Sequence, residues 1–502
     1  MLLADIVATS TAVAATRSRK AKVAALADAL RATDPGELET VVSYLGGSLR
    51  QRRTGLGWRG LNALPEPATE PSLTATEVHE AFEALARIAG SGSQASRRVA
   101  VDALFARATA PEQAWLRGLV TGEVRQGALD ALVQEAVAQV AGVPLSAVRR
   151  SAMLSGSTLA AAVAAFDGGE AALAEFGLEV GRPVLPMLAS SAPDVGAAMA
   201  KAVPSGPVVI DAKLDGIRIQ AHRHGGDVLL VTRSLDDITA RLPEVVDVVR
   251  ALPGGDLVLD GEALMLGPDG RPRPFQETAS RTAQSTGAAV VPYFFDLLHL
   301  DGTDLLDAPG HERTAALDRL VPEQHRVPRL VTDDAEAAAT FVEATLASGH
   351  EGVIVKDPDA FYEAGRRGSA WVKVKPVHTL DLVVLAVERG SGRRKGLLSN
   401  IHLGARDPET GGFVMLGKTF KGMTDDMLAW QTERFTELQV SDDGWVVTVR
   451  PEQVVEIAID GVQRSVRYPG GVALRFARVV RYRDDKRPDE ADTLDTVRAF
   501  LT

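Results

Sequence analysis

Hydrophobic positions change their period twice along the chain. From residue 1 to about 175 they recur at helical spacing, as in Val23, Leu26 and Leu30 and again in Leu129, Leu132, Val133, Ala136 and Val137. Breaks at Asp34-Pro35-Gly36, at Gly55-Leu56-Gly57-Trp58, at Pro65-Glu66-Pro67 and at Gly90-Ser91-Gly92-Ser93 are those expected between helices of a bundle. The opening stretch through Leu30 reads as one amphipathic helix. Asp5 interrupts its apolar start and Arg17, Arg19 and Lys20 come late, the reverse of the order in a secretory signal. From Pro183 the pattern turns to short β-branched runs, Val208 to Ile210, Val228 to Val231, Leu257 to Leu259 and Val353 to Val355, with a helical stretch from Asp334 to Ala347. Past Pro376, runs at Leu380 to Val387, Phe413 to Leu416, Trp445 to Val449 and Val454 to Ala458 alternate with glycine-rich turns. This predicts a multidomain chain: an all-α unit over 1–175, an α+β unit over 176–376 and a small β-barrel over 377–502.

Composition narrows the chemistry. Hydrophobic residues at 45% and charged residues at 24% are the balance of a chain that buries sizeable cores. No run approaches the ~18 uninterrupted apolar residues of a membrane span, so a soluble, cytoplasmic protein is expected. With 0 cysteines, disulfides, thiolate zinc sites, iron–sulfur clusters and a cysteine nucleophile are excluded, and any metal must sit on oxygen or imidazole. The 9 histidines show no HExxH spacing; His222 and His224, beside Gly225-Gly226, are expected to face solvent rather than a metal. A net charge of −11 gives no global basic excess, so any nucleic-acid contact rests on a local basic stripe.

Lys213 follows an apolar strand and precedes a glycine turn in Asp-Ala-Lys-Leu-Asp-Gly-Ile-Arg. Glu262 lies in Val-Leu-Asp-Gly-Glu-Ala-Leu, where two carboxylates flank a glycine at what reads as the end of a strand, and Glu351 opens Glu-Gly-Val-Ile-Val-Lys. Lys373 and Lys375 alternate with Val372 and Val374 and so share one strand face. A lysine attacks phosphorus only as the free amine, a form favoured by desolvation or by nearby cations, which the lysine pair would supply. Carboxylates can hold Mg²⁺ against a leaving pyrophosphate. The set fits phosphoryl or nucleotidyl transfer, and no Gly-x-x-x-x-Gly-Lys-Ser/Thr string points to a P-loop instead.

Lys-Leu-Asp-Gly-Ile-Arg resembles motif I of the covalent nucleotidyltransferases, the superfamily of DNA ligases, RNA ligases and capping enzymes. Further motifs of that superfamily follow in order: Thr232-Arg233-Ser234, Asp260-Gly261-Glu262, Tyr293-Phe294-Phe295-Asp296, Glu351 to Lys356 and Trp371 to Lys375. The stretch from Leu474 to Lys486 resembles motif VI of ATP-dependent DNA ligases rather than that of capping enzymes, Gly392 to Asn400 resembles their basic OB segment, and Gly122 to Leu129 their DNA-binding domain. The whole chain is similar to three-domain bacterial ATP-dependent DNA ligases of the ligase B class. NAD-dependent ligases, which use a cysteine zinc finger, are disfavoured by the absence of cysteine. A non-enzymatic end-binding protein on a dead transferase fold would have lost the nucleophile or the lysine pair, and both are present.

The resemblance implies a helical DNA-binding domain, an α+β adenylation domain and a C-terminal OB fold. It implies that Lys213 takes AMP from ATP, that Asp211 and Arg218 touch the nucleotide, that Arg233 binds near the ribose and that Glu262 meets the ribose or a metal water. Phe295 would stack on adenine, Glu351 would serve Mg²⁺ or Mn²⁺, and Arg367, Lys373 and Lys375 would contact the nucleotide. In motif VI, Arg475, Arg478, Arg481, Arg483, Asp485 and Lys486 are candidates to orient the pyrophosphate, though a regular strand shows only alternate residues to one face. Arg125, Arg393, Arg394 and Lys395 are candidate DNA contacts. The implied partner is nicked duplex DNA bound without sequence preference by a monomer, near the nucleoid of a bacterium, with no membrane and no protein partner identifiable.

Overall fold

The computed structural model describes residues 1–51, 54–90, 92–124, 126, 129–284, 289–363, 367–390 and 394–501. Helices fill the N-terminal part, from Leu3–Ala15 to Thr158–Ala174, around one core that takes in Val23, Leu26, Leu30, Leu132, Val133, Ala136 and Val137. The apolar face read from the sequence is the buried face. The opening stretch is two helices rather than one, Leu3–Ala15 and Arg19–Arg31, because Ser18 caps the second by accepting the Ala21 N–H.

The α+β part holds two five-stranded sheets. One is built from β1 (Leu188–Ser191), β2 (Val208–Lys213), β8 (Arg329–Thr332), β9 (Gly352–Lys356) and β10 (Arg367–Val374), in the order β1-β10-β9-β2-β8. The other is built from β3 (Ile217–His224), β4 (Asp227–Thr232), β5 (Leu257–Met265), β6 (Val290–Leu300) and β7 (Thr303–Asp304), in the order β4-β3-β5-β6-β7. The helix Ala335–Ala347 is capped by Asp334, which accepts the Glu336 N–H. Strand β5 runs on to Met265, so Asp260-Gly261-Glu262 sits inside a strand and not at its end.

The C-terminal part is β-rich and carries the helix Asp425–Glu437. Its organising strand is β11 (His378–Arg389), which pairs along its first half with β16 (Val454–Ile459) and along its second with β12 (Leu398–Arg406) and β15 (Val446–Val449). Strands β13 (Phe413–Thr419), β14 (Gln439–Asp442) and β19 (Arg478–Tyr482) complete that sheet, and β17 (Gly461–Arg464) pairs with β18 (Val472–Arg475). By pairing with different strands along its two halves, β11 helps close a small OB-type core around Leu380, Leu382, Val384 and Val387. No helix among the described residues is long and apolar enough to cross a membrane.

Candidate active site

A cleft of about 980 Å³ opens between the two α+β sheets, and the C-terminal part covers its mouth. That volume is at the upper end for a small-molecule site. Lys213, the last residue of β2, points into it and pairs with Glu351, which also accepts from Lys375 at 2.7 Å. The three side chains form a row across the sheet, cation, anion, cation. Two backbone details make the row possible. Glu351 donates its own N–H to the Lys213 carbonyl at 3.0 Å. Gly352, at φ +143°, lets the ends of β9 and β10 touch, since a Cβ there would lie 2.2 Å from the Val374 carbonyl oxygen. The group against Lys213 is therefore a carboxylate, with Lys375 beyond it, and not the lysine pair itself. Burial pushes the Glu351 carboxyl up, but the Lys213 and Lys375 ammoniums outweigh it and hold the group below its ordinary value.

Glu262 lines the opposite wall with Arg218, Arg233 and Phe295. Burial pushes its carboxyl up to about 7, against the pull of Lys213 and Arg218. Phe295 stands edge-on to Trp371, ring centroids 6.0 Å apart. Beneath them Asp211, almost fully buried, is held by Arg329 at 2.5 and 3.1 Å and by Lys356 at 2.6 Å. Both cations also donate to the Phe295 carbonyl, at 3.2 and 3.3 Å. Arg329 carries no motif around it, and only the fold brings it beneath the site.

Lys373 and Lys375 both line the cleft. Arg367 begins β10, with its side chain outside the described residues. From the C-terminal part come Lys421, Asp460, Arg475, Phe476 and Arg478. Arg475 forks onto Asp215 at 3.0 and 3.4 Å, while Asp460 reaches back to Lys375 at 3.2 Å. Arg475 and Arg478 could not both face the cleft from one regular strand. They do because Phe476, at φ +52°, breaks β18 from β19. The break is clamped on both sides: the Asp460 N–H donates to the Arg475 carbonyl at 3.0 Å, and the Thr419 hydroxyl to that of Ala477 at 2.5 Å.

The remaining motif VI residues lie elsewhere. Arg481 pairs with Glu456, Arg483 with Asp485 and Asp381, and Lys486 with Asp381, all within the C-terminal part. Of the DNA-contact candidates, Arg125 and Arg393 fall outside the described residues. Arg394 donates to Ser399 and to the Phe420 carbonyl, and Lys395 is exposed. His224 is exposed as expected, but His222 is buried: the segment around Gly181 and Val184 packs on β3, and His222 accepts the Gly181 N–H at 3.1 Å and bonds Gln220 at 2.8 Å. Burial, then the neighbouring His299, pushes its imidazole down to about 4.

A lysine at the floor of a nucleotide-sized cleft, ringed by carboxylates and cations and capped by an OB-type domain, has the make-up of a covalent nucleotidyltransferase. Comparison with known proteins narrows the class. Residues 186–375 match the ATP dependent DNA ligase domain, residues 394–486 the ATP dependent DNA ligase C terminal region and residues 62–138 the DNA ligase N terminus. The chain is 70% identical over 506 residues to a protein named Probable DNA ligase from Nocardioides sp. (strain ATCC BAA-499 / JS614), spanning 100% of this chain and 99% of that one. It is 69% identical over 503 residues to a Probable DNA ligase from Kineococcus radiotolerans, spanning 100% of each. A solved structure titled Pmar-Lig_PreS3 shares the fold, with a TM-score of 0.63 at 18% identity over 95% of this chain and 99% of that one. The chain belongs to the ATP-dependent DNA ligases.

Proposed function

We propose that the chain seals nicks in duplex DNA with Lys213 as the nucleophile. The Lys213 amine attacks the α-phosphate of ATP; a nitrogen–phosphorus bond forms, the bond to the bridging oxygen breaks, and pyrophosphate leaves. AMP then passes to the 5′-phosphate of a nick, and the 3′-hydroxyl attacks that phosphate and expels AMP. The observation that supports this most is the row Lys213, Glu351, Lys375, faced across the cleft by Arg475 and Arg478. Glu351 holds the nucleophile in place, Lys373 and Lys375 neutralise the α-phosphate, and Arg475 and Arg478 orient the pyrophosphate. Phe295, its carbonyl anchored by Arg329 and Lys356, stacks on adenine, and Asp211, Arg218, Arg233 and Arg367 complete nucleotide binding.

Glu351 and Glu262 would be the residues to hold a divalent cation, their carboxylate oxygens being the donor type that Mg²⁺ and Mn²⁺ take. Bound there, the ion would supply positive charge against the triphosphate. In this reading 1–175 binds DNA with Arg125, 176–376 carries out adenylation, and 377–502 closes over the site with Arg393, Arg394 and Lys395 toward the duplex. The protein acts as a monomer in the cytoplasm, near the nucleoid. Intact-mass spectrometry after incubation with a divalent cation and ATP, GTP or NAD tests the first step. The expected result is an AMP adduct from ATP only, absent in Lys213→Ala; no adduct from any nucleotide, on protein free of AMP at the start, rejects the mechanism.

A further inference from the structure

Arg218 leaves β3 at the back of the cleft with most of its guanidinium already engaged. Nε and Nη2 fork onto the Asp260 carboxylate at 3.0 and 2.6 Å, and Nη1 donates to the Met187 carbonyl at 2.6 Å. The rings of Phe295 and Trp371 stand 5.5 and 5.8 Å from the guanidinium carbon. Asp260 is fixed in turn. The Tyr362 hydroxyl donates to Asp260 Oδ2 at 2.7 Å and accepts the Met187 N–H at 3.0 Å. The four residues therefore close a ring of hydrogen bonds.

Asp260 and Tyr362 are 1% and 2% exposed, and neither lines the cleft, so neither can touch a bound nucleotide. Tyr362 is itself anchored, its N–H on the Leu306 carbonyl and its ring edge-on to Trp371 at 5.9 Å. Burial, followed by the Asp260 charge, pushes the Tyr362 phenol well above its ordinary value and keeps it a donor. A two-point fork holds a guanidinium to one plane, which a single ion pair does not. Without that fork Arg218 would be free to turn toward the Glu262 carboxylate, its other charged neighbour.

We propose that Asp260 and Tyr362 are positioning residues that aim the Arg218 guanidinium at the nucleotide. The inference rests on the reading of Arg218 as a nucleotide-binding residue. Its test uses the full chain stripped of AMP by pyrophosphate, and follows Lys213–AMP formation by intact mass as a function of ATP concentration. Tyr362→Phe is expected to remain folded by circular dichroism and to raise the half-saturating ATP concentration about tenfold, as when one hydrogen bond to a charged group is released. The limiting rate should change less. In an Arg218→Ala background the same substitution should add nothing, because its target is gone. An unmoved half-saturating concentration in folded Tyr362→Phe overturns the proposal, as does a full further rise in the double variant. A lower melting midpoint with unchanged ATP dependence marks a merely structural tyrosine and also overturns it. Arg218→Ala with unaltered ATP dependence rejects the nucleotide-binding reading itself and the proposal with it. Should Tyr362→Phe not fold, Asp260→Asn carries the same arms.

Discussion

Lys213, Arg218, Glu351, Lys375, Asp460 and Arg475 at the cleft each have an ion-pair partner that restrains them, and what sets the buried charged groups apart is the cost of holding them. Glu262 shows this most clearly. Its carboxyl rises from 4.5 to about 7, mainly through burial, so the folded protein binds its proton more tightly than the unfolded chain does. The stability tied to that proton is present below about pH 4.5 and is lost as pH rises through about 7. Glu262→Gln, which imitates the protonated form, should therefore leave the melting midpoint of the nucleotide-free protein nearly unchanged at pH 4 and raise it at pH 8. Thermal melts of both proteins across that range check the sign; a constant offset would mean Glu262 does not titrate in this window. Lys213 and Glu351 behave as one unit, so Glu351→Gln should remove the restraint on the nucleophile and slow Lys213–AMP formation by at least about tenfold. That is measurable by quenched flow at saturating ATP.

At the scale of the element, two irregular backbone positions assemble the site. Gly352 brings β9 and β10 together where Glu351 and Lys375 must meet, and Phe476 turns the chain so that two arginines spaced three apart face one cleft. Gly352→Ala should cost about 2 kcal/mol or more, because the added Cβ meets a backbone carbonyl rather than a movable side chain. The adenylation step should fail together with stability, as thermal melts paired with the AMP-adduct assay would show. If the variant kept both, the close approach of the strands would not be what builds the row. The pairing of strands was only partly legible beforehand. The apolar runs of β2, β5, β9 and β11 are evident in sequence because buried strands need them. In sequence Asp260-Gly261-Glu262 reads as a strand end, since two carboxylates seldom sit inside a buried strand; Arg218 and the cleft are what allow them there.

Across the whole molecule, the domain seams differ in kind; the helical and C-terminal parts also meet, through the Arg17–Asp425 ion pair. Met153 and Leu154 of the helical part share a buried cluster with Val258, Leu298, Tyr362 and Trp371 of the α+β part, and Arg150 forks onto Asp307 at 2.8 and 2.7 Å. The C-terminal part meets the cleft through ion pairs, Arg475 with Asp215 and Asp460 with Lys375. Apolar seams hold in salt and ionic ones are screened. Raising salt to about 1 M, where screening reaches within ~3 Å, should free the C-terminal part while the helical and α+β parts stay docked. Limited proteolysis or small-angle scattering would show it, and a helical part released first would contradict the assignment of the seams. Nick binding should also weaken steeply with salt, since a clamp on phosphates releases counterions; fluorescence anisotropy at several ionic strengths reads the slope.

What the sequence determined by itself was local chemistry and local periodicity. The helical faces of the first part, the buried strands, the ordered motifs from Lys213 to Lys375 and the absence of cysteine chemistry are all properties of neighbours along the chain. What only the tertiary structure decided was which charges meet. Arg329 reaches Asp211 from 118 residues away, Tyr362 reaches Asp260 from 102 and Arg475 reaches Asp215 from 260. Such pairs leave no periodic trace, because an ion pair depends on a few ångströms of separation in space and on the water removed around it, and neither is written in the order of residues.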